Sequence, residues 1–286
     1  MPGMREIKAK IKSLKGTKRI TAAMKAVSAA KLRKAQEELF NIRPYAEVMK
    51  GIATGLYVRG NPSIHPIFQV RPVRRIELIV ISSDKGLCGA FNSNIIRQVN
   101  KFAKEKLSQG IDISLTTVGN KATQYFTKYS DLKVRKSFTD IFRRIGLPLA
   151  KEISADLYLG YISEYFDEVY VVYNKFYNAL KQEVTFEKIM PLSIEGAEEE
   201  PNAEYTVGPD ENVIKEAVKS YASAIILRSL KESETSEHAA RMTAMDSATK
   251  NAEDMIKKLT LSFNKARQAA ITKELIEITT AIEAMK

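Results

Sequence analysis

The segment RMTAMDSATKNAEDMIKKLTLSFNKARQAA, Arg241 to Ala270, places Met242, Met245, Ala252, Ile256, Leu259, Phe263, Ala266 and Ala270 on a spacing of alternating threes and fours. That spacing is the seam of a helix lying against a partner, and only Thr249 interrupts it. The segment belongs to a longer one, Pro209 to Lys286, that holds no Gly or Pro after Pro209. One uninterrupted helix is predicted there, roughly 100 Å or more in length at 1.5 Å per residue. A helix of that length cannot be covered by its own chain along most of its course. After Ala270 the seam steps by one residue and continues as Ile271, Leu275, Ile278, Ile282 and Met285, so the apolar stripe is expected to turn around the helix near its end.

The natural partner is at the other end of the sequence. Residues 4 to about 58 carry a second seam, Leu32, Ala35, Leu39, Ile42, Ala46, Met49, Ala53 and Leu56. Upstream it is read through Ile20, Met24 and Val27, displaced by one residue. Gly16 costs about 1 kcal/mol in a helix interior, and Pro44 is expected to bend the helix near Arg43.

Between these helices the period changes. Residues 59 to 72, with three prolines, read as a linker. Arg75 to Ser82 is a buried strand by its β-branched run, followed by the glycine turn SDKGLCGAFN and a helix from about Asn92 to Leu107. Strands follow at Ile111 to Val118, Lys133 to Phe138, Glu168 to Tyr173 and Val184 to Leu192, with helices at Lys121 to Tyr129 and about Pro148 to Tyr165. Such alternation implies a mostly parallel sheet with helices on its faces. The fold class is therefore α/β: a long antiparallel coiled coil of N- and C-terminal helices with an inserted Rossmann-like domain. The expected boundaries are 1–58, 74–195 and 209–286, with the acidic stretch Glu195 to Tyr205 as a loop.

The chain of 286 residues has room for one or two domains. It has no run of eighteen apolar residues, and its start, MPGMREIKAK, lacks the features of a secretion signal or a transit peptide, so a cytosolic protein is expected. One cysteine, Cys88, excludes an internal disulfide, and two histidines, His65 and His238, argue against a metal site. The net charge of +11 is unevenly spread. Residues 1 to 60 hold 14 Lys and Arg against 4 Asp and Glu, while residues 209 to 286 hold 12 against 12. A basic patch on the first helix suits something acidic, with nucleic acid, anionic lipid and an acidic protein surface all eligible. Few aromatics, Phe40, Tyr45 and Tyr57, lie there to stack on bases.

SDKGLCGAFN, Ser83 to Asn92, has the strand, turn and helix order of a phosphate cradle without a dinucleotide or P-loop signature. It reads as a tight turn made by Gly86 and Gly89. Cys88 is expected to be a buried small residue, His238 a surface or packing residue, and His65 a linker residue with no evident partner. No catalytic constellation is present in the sequence.

Three stretches carry a family resemblance along essentially the whole chain. IKSLKGTKRITAAMKAVSAAKLRKAQ (Ile11 to Gln36), SDKGLCGAFN, and the pair SEHAARMTAMDSATKNA (Ser236 to Ala252) and FNKARQAAITKELIEI (Phe263 to Ile278) resemble the gamma subunits of F-type ATP synthases. The resemblance implies a non-catalytic rotor shaft, one copy per complex, without a cofactor. Its partners would be the alpha and beta subunits, the epsilon subunit and the membrane c-ring, at the cytoplasmic face of the cell membrane. It also implies beta-subunit contacts at Met24, Arg241, Arg267, Gln268 and Thr272, and a c-ring or epsilon side at Tyr205, Val207 and Gly208. An arginine suits such a contact because its planar fork holds a carboxylate with two hydrogen bonds. The competing expectations are a basic coiled coil that binds nucleic acid and a small α/β enzyme using the turn after the first strand.

Overall fold

The structure is a computed structural model and describes residues 4–59, 65–141, 144–192 and 211–284. The elements follow in the order α1 (Met4–Arg59), a 3₁₀ turn (Pro66–Phe68), β1 (Arg75–Ile81), α2 (Phe91–Ser108), β2 (Asp112–Val118), α3 (Asn120–Tyr129), β3 (Lys133–Phe138), α4 (Leu147–Ile162), β4 (Glu168–Phe176), β5 (Gln182–Met190) and α5 (Glu211–Ala284). α1 runs through Pro44 without a break in helical structure. Two compact units divide the chain: Met1–Ser28 with Met242–Lys286, and Ala29–Arg241.

The larger unit is built on a five-stranded sheet in the order β3-β2-β1-β4-β5. β1 pairs in parallel with β2 and β4, β2 in parallel with β3, and β5 returns antiparallel along β4. β1 is central, and every residue after Arg75 in it is buried. Ile76, Leu78 and Val80 point to one face, where Ile95, Val99 and Ala103 of α2 and Ala122 and Phe126 of α3 cover them. Ile79 and Ile81 point to the other, against Ile153, Leu157 and Tyr161 of α4, Ala46 and Ala53 of α1, and the α5 run from Ile214 to Leu230. The period of two along β1 thus feeds two separate cores.

Glu77 stands two residues before Ile79, on the same face, and so is carried into the second core, where it is fully buried. A carboxylate there demands partners. It accepts from the Ser114 and Thr116 hydroxyls and from Arg135 Nε at 3.0 Å, and Arg135 Nη2 reaches Asp156 of α4 at 2.6 Å. The buried charge therefore fastens α4 across three strands.

The α1 seam holds as read from Leu32 to Ala53: Leu32, Ala35, Leu39, Ala46 and Ala53 are buried, with Ile42 and Met49 packed beside them. Upstream the reading fails. Ile20 and Val27 are 62% and 58% exposed, while Ile7, Thr21 and Ser28 are buried. Thr21, Ser28 and Ala35 stand seven apart, so the phase never shifts; hydroxyl residues occupy seam positions where an apolar reading chose their neighbours.

In the smaller unit, Met245 and Ala252 of α5 are buried and Ile256, Leu259, Phe263, Ala266 and Ala270 are half-buried, as the spacing requires. Lys18 pairs with Glu253 at 3.1 Å and Lys25 with Asp246 at 2.6 Å, which fixes an antiparallel register. In that register α1 begins opposite the region of Arg267. Beyond it Ile271, Leu275 and Ile278 are about half exposed, so the apolar stripe predicted to turn is uncovered. No helix among the described residues is long and apolar enough to cross a membrane.

Candidate functional site

In a doubly wound sheet, ligands lie outside the carboxyl ends of the strands where the strand order reverses, here between β1 and β4. In this chain that place is taken by α5. Ser236 Oγ donates to Asn174 O at 2.8 Å, and Phe176 N donates to Glu232 Oε2 at 2.8 Å. Arg43 of α1 completes the joint, with Nε on Glu232 Oε1 at 2.8 Å and Nη2 on Phe176 O at 2.7 Å. The Glu232 side chain is only 2% exposed, so α1, α5 and the end of β4 meet on one buried carboxylate. Nothing in the spacing of either helix singles out Arg43 or Glu232 for this role.

The loop after β1 closes the other side. Ser83 N donates to Asn92 Oδ1 at 3.0 Å, Asn92 Nδ2 donates to Ser83 Oγ at 2.7 Å, and the same nitrogen lies 3.2 Å from Cys88 Sγ. The Ser83 amide that a phosphate could use is thereby already occupied, and Cys88 is the buried small residue expected. Burial pushes its thiol above the ordinary range. The left-handed positions of the turn are Leu87 (φ 64°) and Gly89 (φ 59°), not Gly86. Leu87 is also 64% exposed. Asp84 Oδ1 accepts from Asn120 N and Asp140 N at 3.0 and 3.1 Å, tying this loop to those after β2 and β3. Gly119 (φ 97°) has no alternative here: a Cβ would stand 2.2 Å from Ser82 O.

Arg241 faces this loop. Its Nη2 donates to Gly86 O at 3.1 Å and to Lys85 O at 3.3 Å, and its Nη1 pairs with Glu237 one turn back on α5. Burial pushes the Glu237 carboxyl up, against the pull of Arg241. Next to it His238, 8% exposed, is a packing residue whose imidazole is pushed down to about 4, mainly by burial and further by Arg241, Lys31 and Lys231. His65 corrects its expectation. It is buried, its Nε2 lies 2.9 Å from Tyr158 Oη, and its Nδ1 accepts from Ile67 N to cap the 3₁₀ turn.

The remaining predicted contact residues lie in the smaller unit. Arg267, Gln268 and Thr272 are exposed and Met24 is half-buried. Thr272 Oγ1 is bonded to Gln268 O at 3.0 Å, and among the described residues no ion pair involves Arg267. Asp246 is held down to about 2 by hydrogen bonds from Lys25 and Lys250. By contrast, among the described residues no ion pair neutralises Lys8, Lys10, Lys12, Lys15 or Arg19, all exposed on α1. Tyr205, Val207 and Gly208 lie outside the described residues, as does the acidic loop. No group of His, Cys, Asp and Glu among the described residues could hold a metal ion.

Known proteins match this chain over its full length. A family model described as ATP synthase matches residues 3–285. The chain is 40% identical over 288 residues to the ATP synthase gamma chain of Geobacter metallireducens, covering 100% of both, and 43% identical over 282 residues to that of Pelotomaculum thermopropionicum, covering 97% of both. Among solved structures it resembles a chain from the central stalk and c-ring of the Tetrahymena thermophila mitochondrial ATP synthase, with a TM-score of 0.62, 26% identity and coverage of 80% of this chain and 99% of that one. A chain of the Euglena gracilis mitochondrial enzyme shares the fold, with a TM-score of 0.72 at 19% identity over 99% of this chain and 95% of that one. On full-length identity of this order, the chain belongs to the ATP synthase gamma-chain family.

Proposed function

We propose that this chain is the non-catalytic central shaft of an F-type ATP synthase, coupling ion flow through a membrane sector to ATP synthesis or hydrolysis in a ring of alpha and beta subunits. The observation that carries the reading, beyond family membership, is the end of α5. It extends past α1 with Ile271, Leu275 and Ile278 uncovered and Arg267 and Gln268 exposed beside them. An apolar stripe of that kind is completed by a surrounding surface. The cations of α1 that no ion pair among the described residues neutralises suit an acidic one. On this reading residues 1–58 and 209–286 form the shaft and 74–195 the head, with Met24, Arg241, Arg267, Gln268 and Thr272 toward the beta subunits. Tyr205, Val207 and Gly208 face the c-ring or the epsilon subunit, and one copy serves each complex at the cytoplasmic face of the membrane. The nucleic-acid reading of the basic helix gives way, because full-length relatives carry the gamma-chain name.

The test is ATPase activity of purified alpha and beta subunits reconstituted with and without the chain. Full-length protein should restore multisite turnover, and Arg267→Ala should restore much less while leaving the melting of the chain unchanged. Turnover indifferent to the chain would reject the shaft.

A further inference from the structure

Within the larger unit, the outward side of α1 departs from the rule that a helix sets charge against solvent opposite its buried seam. The seam here is Leu39, Ala46 and Ala53, all buried. At about 100° per residue, Pro44, Tyr45, Val48, Gly51, Ile52 and Gly55 fall on the opposite side, within about 60° of Val48. None of them carries a charge, although residues 1 to 60 hold 14 Lys and Arg. The face is nevertheless bare. Tyr45, Val48 and Ile52 are 40%, 57% and 42% exposed, and Pro44 and Gly51 are exposed with them. Charges of the same stretch are turned away from it: Arg43 bonds Glu232 at 2.8 Å, and Glu47 accepts from Arg228 at 3.0 Å, both partners on α5.

The two glycines narrow the reading. Glycine is, after proline, the least favourable residue in a helix interior, and one kept there for packing has a neighbour that a side chain would strike. Gly51 and Gly55 have none: among the described residues, nothing stands within 4 Å of a Cβ built at either. They flatten one row of the helix surface, four residues apart, beside the raised row of Pro44, Val48 and Ile52. A ridge beside a groove at that spacing is what a second helix packs into, and glycine in the groove lets the axes approach to the low end of the usual range, about 8–10 Å.

We propose that this face is a docking surface for a helix of another subunit of the ATP synthase, uncharged along its contact line and with small side chains opposite Gly51 and Gly55. The proposal rests on the shaft reading. The lack of charge chooses among partners. An acidic surface, which the basic part of α1 suits, would find no cation here, and its own charges would lose solvation without a partner. The uncovered length from Pro44 to Gly55 is about 16 Å, three turns of a partner helix.

Solvent access tests the covering. Val48→Cys, in full-length protein with Cys88→Ser, is labelled with a maleimide in the isolated chain and again in the complex assembled with alpha, beta and epsilon subunits and the c-ring. Labelling should be fast in the isolated chain and slower by about tenfold or more in the complex. Gly51→Leu with Gly55→Leu then tests close approach. Leucine is the better helix former and has open space in the isolated chain, so the melting temperature should rise by about 3–6 °C. Offered to the same assembly with the parent, this variant should be incorporated about tenfold less or worse. Equal labelling rates in the two states overturn the proposal, as does a leucine variant incorporated as readily as the parent. Slow labelling of the isolated chain, or a leucine variant that melts lower than the parent, also overturns it, by assigning the face to the chain's own packing or to a second copy. A parent chain missing from the complex would overturn the shaft reading itself, and this proposal with it.

Discussion

Glu232→Ala tests the joint between the long helices and the sheet. The Glu232 carboxylate holds the Arg43 guanidinium through two bonds, at 2.8 and 3.0 Å, and the Phe176 amide at 2.8 Å. Removing it leaves an amide without its acceptor and a guanidinium without its carboxylate. Breaking a buried pair costs about 3–5 kcal/mol, but the Arg43 side chain is 32% exposed and recovers part of its solvation. Arg43 also keeps its bond to Phe176 O. A loss of about 3 kcal/mol follows, the stranded amide accounting for about 1–3 kcal/mol of it. For a folding unit of some 200 residues this is a fall of about 6–12 °C in melting temperature. Urea unfolding of the full chain, followed by its tyrosine signal, measures the change. The exposed Lys18 and Glu253 pair supplies the control, since Lys18→Ala should shift stability by less than about 1 kcal/mol. A Glu232→Ala loss as small as that of Lys18→Ala would refute the claim that this carboxylate is a joint.

Two further outcomes follow from the site. Gly119→Ala puts a Cβ against Ser82 O at a left-handed φ, so the carboxyl ends of β1 and β2 must part; a loss above about 2 kcal/mol is expected by the same unfolding assay, and a neutral result would contradict the geometry. His238, neutral and held down to about 4 from 6.5, binds its proton more readily in the unfolded chain, so its contribution is full above pH 6.5 and is lost as pH falls toward 4. Melting temperature should therefore fall over that window by the equivalent of about 2–3 kcal/mol, and His238→Gln should flatten the fall; a parent and variant with the same pH profile would exclude His238 as its source.

The sequence disclosed the strands and helices to within a few residues because each core reads out in its own period, two along β1 and three or four along the long helices. It disclosed the seam wherever the seam is greasy, from Leu32 to Ala53 and from Met245 to Ala270. It misled at Ile20 and Val27, because Thr21 and Ser28 are buried by virtue of their small size, and hydropathy ranks them below their exposed neighbours. His65 looked unpartnered for a different reason: Tyr158 is 93 residues away, and only the packing of the 3₁₀ turn on α4 brings the two rings together. The same holds for Arg43 with Glu232. A hydrogen bond between distant elements leaves no periodic trace. Of the residues expected to meet a beta subunit, Arg267, Gln268 and Thr272 are exposed, whereas Arg241 grips Gly86 O, a backbone atom that any residue would supply and that no sequence pattern marks.

The distance in sequence between α1 and its partners sets an order of events during synthesis. Glu38 meets Lys231, Ala35 meets Thr235 and Thr21 meets Thr249, pairs separated by 193, 200 and 228 residues. At some 5–20 residues per second, α1 leaves the ribosome ten seconds or more before the residues that cover Leu32, Leu39 and Ala46. The sheet from β1 to β4 can close in that interval, since its strands are joined by short local crossovers, while contacts of long sequence separation form last. The first helix made is thus the last to be covered, and its bare seam is where a holdase chaperone would find the nascent chain.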